Sequence, residues 1–323
     1  MDRIYVMQLV RSFQVGQISR RTFLQRASVA VGGMAAANLL LAACQPVTRE
    51  GAVRPVTEAT PTGEGVGTPE TNMTTEEGLV AEMIEYPGPD GATLSGYLAR
   101  PEGEGPHPGV IVIQEWWGLN EHIKDVTRRF AQAGYAALAP DLYHGQVATE
   151  PDEARKLVME LDMPAAVQEI GSAADYLLSQ DYVSGEQVGV LGFCMGGTFV
   201  LDLCATESDL VTVSFYGFPV PQATLAMPPP RPMDLVAGMK GPILAIWGEH
   251  DAYIRREDMD TFAARGAAAG VDLEVRILEG LGHSFFTADT ARDAAAARRA
   301  TESWHDGVRF LQQHLAGTAA TRA

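Results

Sequence analysis

From residue 79 onward, short runs of β-branched and apolar residues alternate with longer stretches whose apolar positions recur at helical spacing. Residues 82–86 and 92–99 alternate in polarity on either side of Pro87-Gly88-Pro89-Asp90-Gly91, which predicts a β-hairpin. Residues 109–114 form a continuous β-branched run, the pattern of a central strand buried on both faces. Residues 122–133 read as a helix stopped by Gly134, and 135–139 as a strand closed by Pro140-Asp141. Helices are expected at 153–161, 165–180, 198–205, 258–269 and 291–315. Strands are expected at 188–193, 210–216, 243–247 and 273–277. Strands that alternate with helices in this way predict an α/β fold: a mostly parallel sheet with helices on both faces.

The most informative stretch is Val188-Gly189-Val190-Leu191-Gly192-Phe193-Cys194-Met195-Gly196-Gly197. An apolar strand ends abruptly in Gly-x-Cys-x-Gly ahead of a helix, the pattern of a nucleophile elbow with Cys in place of Ser. Gly192 and Gly196 leave room for a turn that a Cβ would obstruct. The Met195 amide, at the helix start, is free to face a developing oxyanion. The helix N-terminus is expected to favour a thiolate and to lower the Cys194 pKa. A buried structural cysteine in a Gly-rich turn is the alternative.

Composition narrows the function classes. The chain is acidic, with 24 Lys and Arg against 41 Asp and Glu, a formal charge of −17. No basic cluster forms a nucleic-acid footprint, so no nucleic-acid partner is expected. Three cysteines, Cys44, Cys194 and Cys204, cannot build a disulfide framework. Cys204 is expected to face the core. His144, His250 and His283 stand apart, without metal-ligand spacing or a nucleotide-binding glycine motif, so neither metal nor cofactor is expected.

The N-terminal part has a different character. Ser19-Arg20-Arg21-Thr22-Phe23-Leu24-Gln25 matches a twin-arginine pattern and precedes an apolar Ala/Gly-rich stretch ending Leu41-Ala42-Ala43-Cys44, which resembles a lipobox. Residues 1–43 are therefore expected to be a twin-arginine signal peptide. Residues 44–78 are expected to be a disordered tether lipidated at Cys44, and 79–323 one catalytic domain. An ordinary cleaved signal and an uncleaved anchor helix are the alternatives. On this reading the protein is exported, extracytoplasmic and membrane-tethered, with membrane lipid as a partner through Cys44. A monomer is the default expectation.

Two further loops follow strands, where catalytic loops lie in open α/β sheets. One is Gly248-Glu249-His250-Asp251, the other Glu279-Gly280-Leu281-Gly282-His283-Ser284-Phe285. The order Cys194, Asp251, His283 is the nucleophile–acid–base order of α/β-hydrolases. His283, flanked by glycine, is expected to be a mobile imidazole; His250 is expected to be a neighbour without a role.

Four motifs together resemble the dienelactone hydrolase family of α/β-hydrolases: Gln114-Glu115-Trp116-Trp117-Gly118, Pro140-Asp141-Leu142-Tyr143, Gly192-Phe193-Cys194-Met195-Gly196-Gly197 and Gly282-His283-Ser284-Phe285. The resemblance implies hydrolysis of a small ester or lactone through a thioester. Cys194 would be the nucleophile, His283 the base and then the acid, Asp251 its orienting partner, and Glu115 the carboxylate that helps form the thiolate. Trp116 and Met195 would supply oxyanion-hole amides; Trp117, Tyr143 and Phe285 would line the pocket. Family members hold a substrate carboxylate with two arginines, and the matching positions here are Gly145 and Thr287. A neutral or less anionic substrate is therefore expected, unless Arg255 or Arg256 substitutes. A thioesterase or peptidase on the same fold, and a non-catalytic ligand-binding lipoprotein, are the competing readings.

Overall fold

The structure is a computed structural model and describes residues 78–103, 105–208, 210–220, 231–286 and 293–315. The expected signal, Cys44, the tether and Thr287 lie outside the described residues.

The hairpin forms as expected. β1 (Leu79–Pro87) and β2 (Thr93–Pro101) pair antiparallel around a single turn at Pro89–Gly91. There follow β3 (His107–Ile113), α1 (Glu121–Gln132), β4 (Ala136–Pro140), α2 (Pro151–Glu160), α3 (Met163–Leu178) and β5 (Val183–Phe193). The chain continues through α4 (Met195–Thr206), β6 (Leu210–Phe215), a short α5 (Pro232–Leu235), β7 (Ile243–Gly248), α6 (Arg256–Ala269), β8 (Leu273–Leu278) and α7 (Ala294–Leu315). One eight-stranded sheet runs β1-β2-β4-β3-β5-β6-β7-β8, parallel from β4 onward.

Alternation along the central strands sorts the core. On β3, Val110 and Val112 join the cluster containing Phe130 of α1 and Leu311 of α7, whereas Ile111 and Ile113 join the one containing Ile170 and Leu177 of α3. Phe130 and Trp304 meet at 4.9 Å between α1 and α7. α1 begins cleanly because the Asn120 side chain accepts the Ile123 N–H, satisfying one of the first-turn donors.

Two differences from the expected elements matter. α4 starts at Met195, three residues before the expected start, because Gly196 and Gly197 belong to its first turn. α5 was not anticipated, since Pro-Met-Asp-Leu is too short to show a period. The C-terminal ends of β3, β5, β6, β7 and β8 all open onto the same edge of the sheet. That edge carries Glu115, Cys194, Tyr216, Asp251 and His283.

Candidate active site

The turn between β5 and α4 is held by close backbone packing. A Cβ on Gly192 would overlap the Gly196 carbonyl, and one on Gly196 would lie 2.5 Å from the Gln114 carbonyl oxygen. This tight passage drives Cys194 to φ 55° and ψ −116°, a conformation non-glycine residues rarely adopt. The surroundings fix it: Cys194 N–H donates to the Phe215 carbonyl at 3.0 Å, and its own carbonyl accepts from Thr198 N–H at 3.2 Å. The Thr198 hydroxyl accepts the Phe218 N–H, and Ser214 donates to the Gly197 carbonyl, tying α4 to the end of β6.

The sequence-distant residues converge here. His283 Nε2 lies 3.2 Å from Cys194 Sγ, and His283 Nδ1 lies 2.7 Å from Asp251 Oδ2. The Asp251 side chain is fully buried, and Oδ1, its other oxygen, accepts the N–H groups of Tyr253 and Ile254. The carboxylate is thus fixed at both oxygens, and it presents Oδ2 to the ring. The His283 imidazole, expected to be mobile, is hydrogen-bonded to Asp251, and its side chain is 9% exposed. Tyr216, Phe218 and Tyr253 stand around its ring at 5.1, 5.2 and 5.1 Å.

The expected lowering of the Cys194 pKa is also corrected. Burial pushes the thiol well above its ordinary value, and the Glu115 charge pushes it further; the Met195 N–H pulls it only part of the way back. The helix N-terminus is present, but desolvation and a neighbouring carboxylate outweigh one amide. Burial likewise raises the Glu115 carboxyl, opposed by His122, by His283 and by a hydrogen bond that the Tyr216 hydroxyl donates to Oε1 at 3.3 Å. Tyr216 and His122 escaped the sequence reading. Tyr216 looked like the last residue of a strand, yet it sits just past β6 at φ 41°, buried, with its own hydroxyl pKa raised. His122 is separated from Glu115 by the turn into α1, and nothing in its helical pattern marked it.

The remaining expected site residues are distributed unevenly. Met195, first in its helix, has no intrahelical partner for its N–H, which faces the sulfur. Trp116 and Trp117 pack edge to face at 4.9 Å beside the cluster that contains Tyr143 and Met195. Tyr143 donates its hydroxyl to the Trp116 carbonyl at 3.2 Å and lies 3.6 Å from the Met195 sulfur, so it braces both loops that carry the expected amides. Phe285, expected in the pocket, is buried in the core, packed against Tyr216 and Phe286. His250 points to Glu249 at 3.8 Å and is exposed. Cys204 is fully buried and donates to the Leu201 carbonyl. Arg255 forks onto Asp258 at 2.8 Å through two nitrogens, and Arg256 pairs with Asp260 at 2.9 Å. Gly145 has open space where its Cβ would stand. Among the described residues no group of three or more His, Cys, Asp or Glu could hold a metal ion.

A family model, "Dienelactone hydrolase family", matches residues 94–315. Protein usf of Aquifex pyrophilus is 34% identical over 246 residues, covering 73% of this chain and all of the relative. Carboxymethylenebutenolidase of Rhodococcus opacus is 28% identical over 223 residues, covering 68% and 86%. Among solved structures, a dienelactone hydrolase-like promiscuous phosphotriesterase from metagenomic libraries is similar. It has a TM-score of 0.59 and 28% identity, and the match covers 72% of this chain and 99% of that one.

Proposed function

The chain belongs to the dienelactone hydrolase family, a family of carboxylic-ester hydrolases, and from that premise we propose that it cleaves a neutral ester or lactone through a thioester on Cys194. The observation that carries this reading is the line Cys194 Sγ, His283 Nε2, His283 Nδ1, Asp251 Oδ2, with spacings of 3.2 and 2.7 Å.

The chemistry follows from the resting thiol. Nε2 of His283 takes the thiol proton as Sγ attacks the carbonyl carbon, and Asp251 balances the resulting imidazolium. The carbonyl oxygen becomes an oxyanion facing the Met195 and Trp116 amides. Collapse breaks the bond to the leaving oxygen, which takes the proton from Nε2. The products are a thioester and an alcohol. Water then occupies the alcohol's place and gives a proton to Nε2. Its oxygen adds to the thioester, and the departing thiolate recovers that proton as the acid is released. Glu115 supports the first step. Its carboxylate is attracted to His283, so its charge, with that of Asp251, favours the imidazolium that forms as Nε2 takes the thiol proton.

The neutral substrate follows from the cations. Arg255 and Arg256 are committed to carboxylates of their own helix, and position 145 carries no side chain. A chain with formal charge −17 does not steer anions toward this edge. Hydrolysis of a short-chain aryl ester by wild type and Cys194→Ala tests the reading. Turnover that falls by about a thousandfold or more in the variant is expected, and unchanged turnover would remove the mechanism. We also propose export by the twin-arginine route with attachment through lipid on Cys44. Membrane fractionation of Cys44→Ser is expected to recover the protein in the soluble fraction, and persistent membrane association would contradict it.

A further inference from the structure

Residues 115–118, which carry Glu115 and the Trp116 amide from β3 toward α1, form a turn: Gly118 N–H donates to the Glu115 carbonyl at 3.3 Å. The Trp116 N–H shares one planar peptide unit with that Glu115 carbonyl and points the opposite way from it. The central peptide unit of such a turn, here between Trp116 and Trp117, is the part whose orientation separates one turn type from another. Its oxygen is the Trp116 carbonyl, and Tyr143 donates its hydroxyl to it at 3.2 Å. The next carbonyl, that of Trp117, accepts Ala148 N–H at 2.9 Å. The turn is thus held from outside, by the loop that follows β4.

That loop is itself anchored. The buried Asp141 carboxylate accepts Tyr143 N–H through Oδ1 and Gly145 N–H through Oδ2. The loop and the turn lie so close that a Cβ on Gly118 would stand 2.7 Å from the Gln146 carbonyl oxygen and 3.1 Å from the Tyr143 ring. Tyr143 is buried, and its hydroxyl also lies 3.6 Å from the sulfur of Met195, the residue expected to supply the other oxyanion-hole amide. One side chain therefore touches both residues whose amides are expected to face the oxyanion.

We propose that Tyr143 is a positioning residue of the oxyanion site, whose hydroxyl pins the central peptide of the 115–118 turn and so holds the Trp116 amide in place for the tetrahedral intermediate. The proposal rests on the ester-hydrolase reading of the same site. The hydroxyl matters when charge develops on the substrate's carbonyl oxygen, and not when the sulfur reacts without forming an oxyanion. Loss of one such bond corresponds to about a tenfold effect.

Two reagents separate these events in the full chain. Phenyl trifluoromethyl ketone adds reversibly to Cys194: a C–S bond forms, His283 Nε2 takes the thiol proton, and the carbonyl oxygen becomes an alkoxide. Iodoacetamide alkylates the same sulfur with loss of iodide and creates no oxyanion. Tyr143→Phe keeps the ring and removes the hydroxyl. It is expected to weaken the ketone adduct about tenfold and to lower kcat and kcat/KM for 1-naphthyl acetate by about the same factor. KM and the alkylation rate of Cys194 are each expected to stay within about twofold of wild type. Unchanged ketone affinity overturns the proposal. So does an alkylation rate that falls in step with that affinity, since general loosening around Cys194 would give that. Asp141→Asn loosens the same tether at its base, and it decides if Tyr143→Phe does not fold. Ketone affinity is expected to fall more than the alkylation rate, and equal changes overturn the proposal. Absence of ester turnover in wild type together with a Tyr143-dependent ketone adduct would sink the ester-hydrolase reading and leave the positioning role standing.

Discussion

Helix α4 has a cysteine near each end, Cys194 just before its first residue and Cys204 near its last, and the two thiols meet different surroundings. Burial raises both. Cys204, fully enclosed, is pushed up to about 12, with Asp202 adding to the rise. Its S–H donates to a carbonyl of its own helix. Cys194 is raised as well, yet a histidine nitrogen lies 3.2 Å from its sulfur, an amide faces it, and a carboxylate stands beside it. The contrast shows that the direction of the pKa shift does not set the two thiols apart. What distinguishes Cys194 is a histidine nitrogen within reach and a turn that carries the sulfur to the sheet edge.

The largest expected effect breaks the comparison at its ends. Cys204→Ala is expected to retain turnover and to lose about 1 kcal/mol of stability, as a small buried truncation does; Cys194→Ala is expected to lose turnover while remaining folded. Activity and thermal melting of the pair check this, and comparable activity losses in both variants would contradict it.

Glu115→Gln sharpens the contrast further. The Glu115 charge raises the Cys194 pKa, so a neutral amide should lower it, and the pH midpoint for alkylation of Cys194 should move down. Turnover should fall at the same time, by about a hundredfold, because the charge that favours the His283 imidazolium is lost. An alkylation midpoint that moves up, or turnover that rises as the thiol becomes more acidic, would show that Glu115 acts otherwise.

The smallest effect concerns the Cys204 end. Burial raises Asp202 from 3.8 to about 7, so the folded state holds a proton that the unfolded chain has already released. Stability from this group is therefore complete below about 4 and lost as pH rises through about 7. Asp202→Asn is expected to raise the melting temperature at pH 8 by a few degrees and to leave it unchanged at pH 4. Equal shifts at both pH values would exclude the titration as the cause.

Most of the architecture was legible because β-branched runs and helical spacing are local signals. The elbow was legible because Gly192 is demanded by a contact four residues on, at Gly196, within one local motif. Asp251 and His283 could be read from their positions after strands. The raised pKa of Cys194 could not, since it depends on burial and on the charge of Glu115, 79 positions away in the chain. Tyr216 was hidden for the same reason: its hydroxyl reaches Glu115 across 101 positions. Phe285 turned into the core and the roles of Arg255 and Arg256 stayed open, because sequence adjacency to a site residue does not show which way a side chain turns.

The account's central claim is a covalent acyl group on one of two similar cysteines. The direct measurement is acid-quench mass spectrometry of the protein during turnover of 1-naphthyl acetate, with peptide mapping. The account predicts an acetyl mass on the peptide containing Cys194, absent in Cys194→Ala, and none on the one containing Cys204. Steady-state hydrolysis with the acetyl group on any residue other than Cys194 would contradict it.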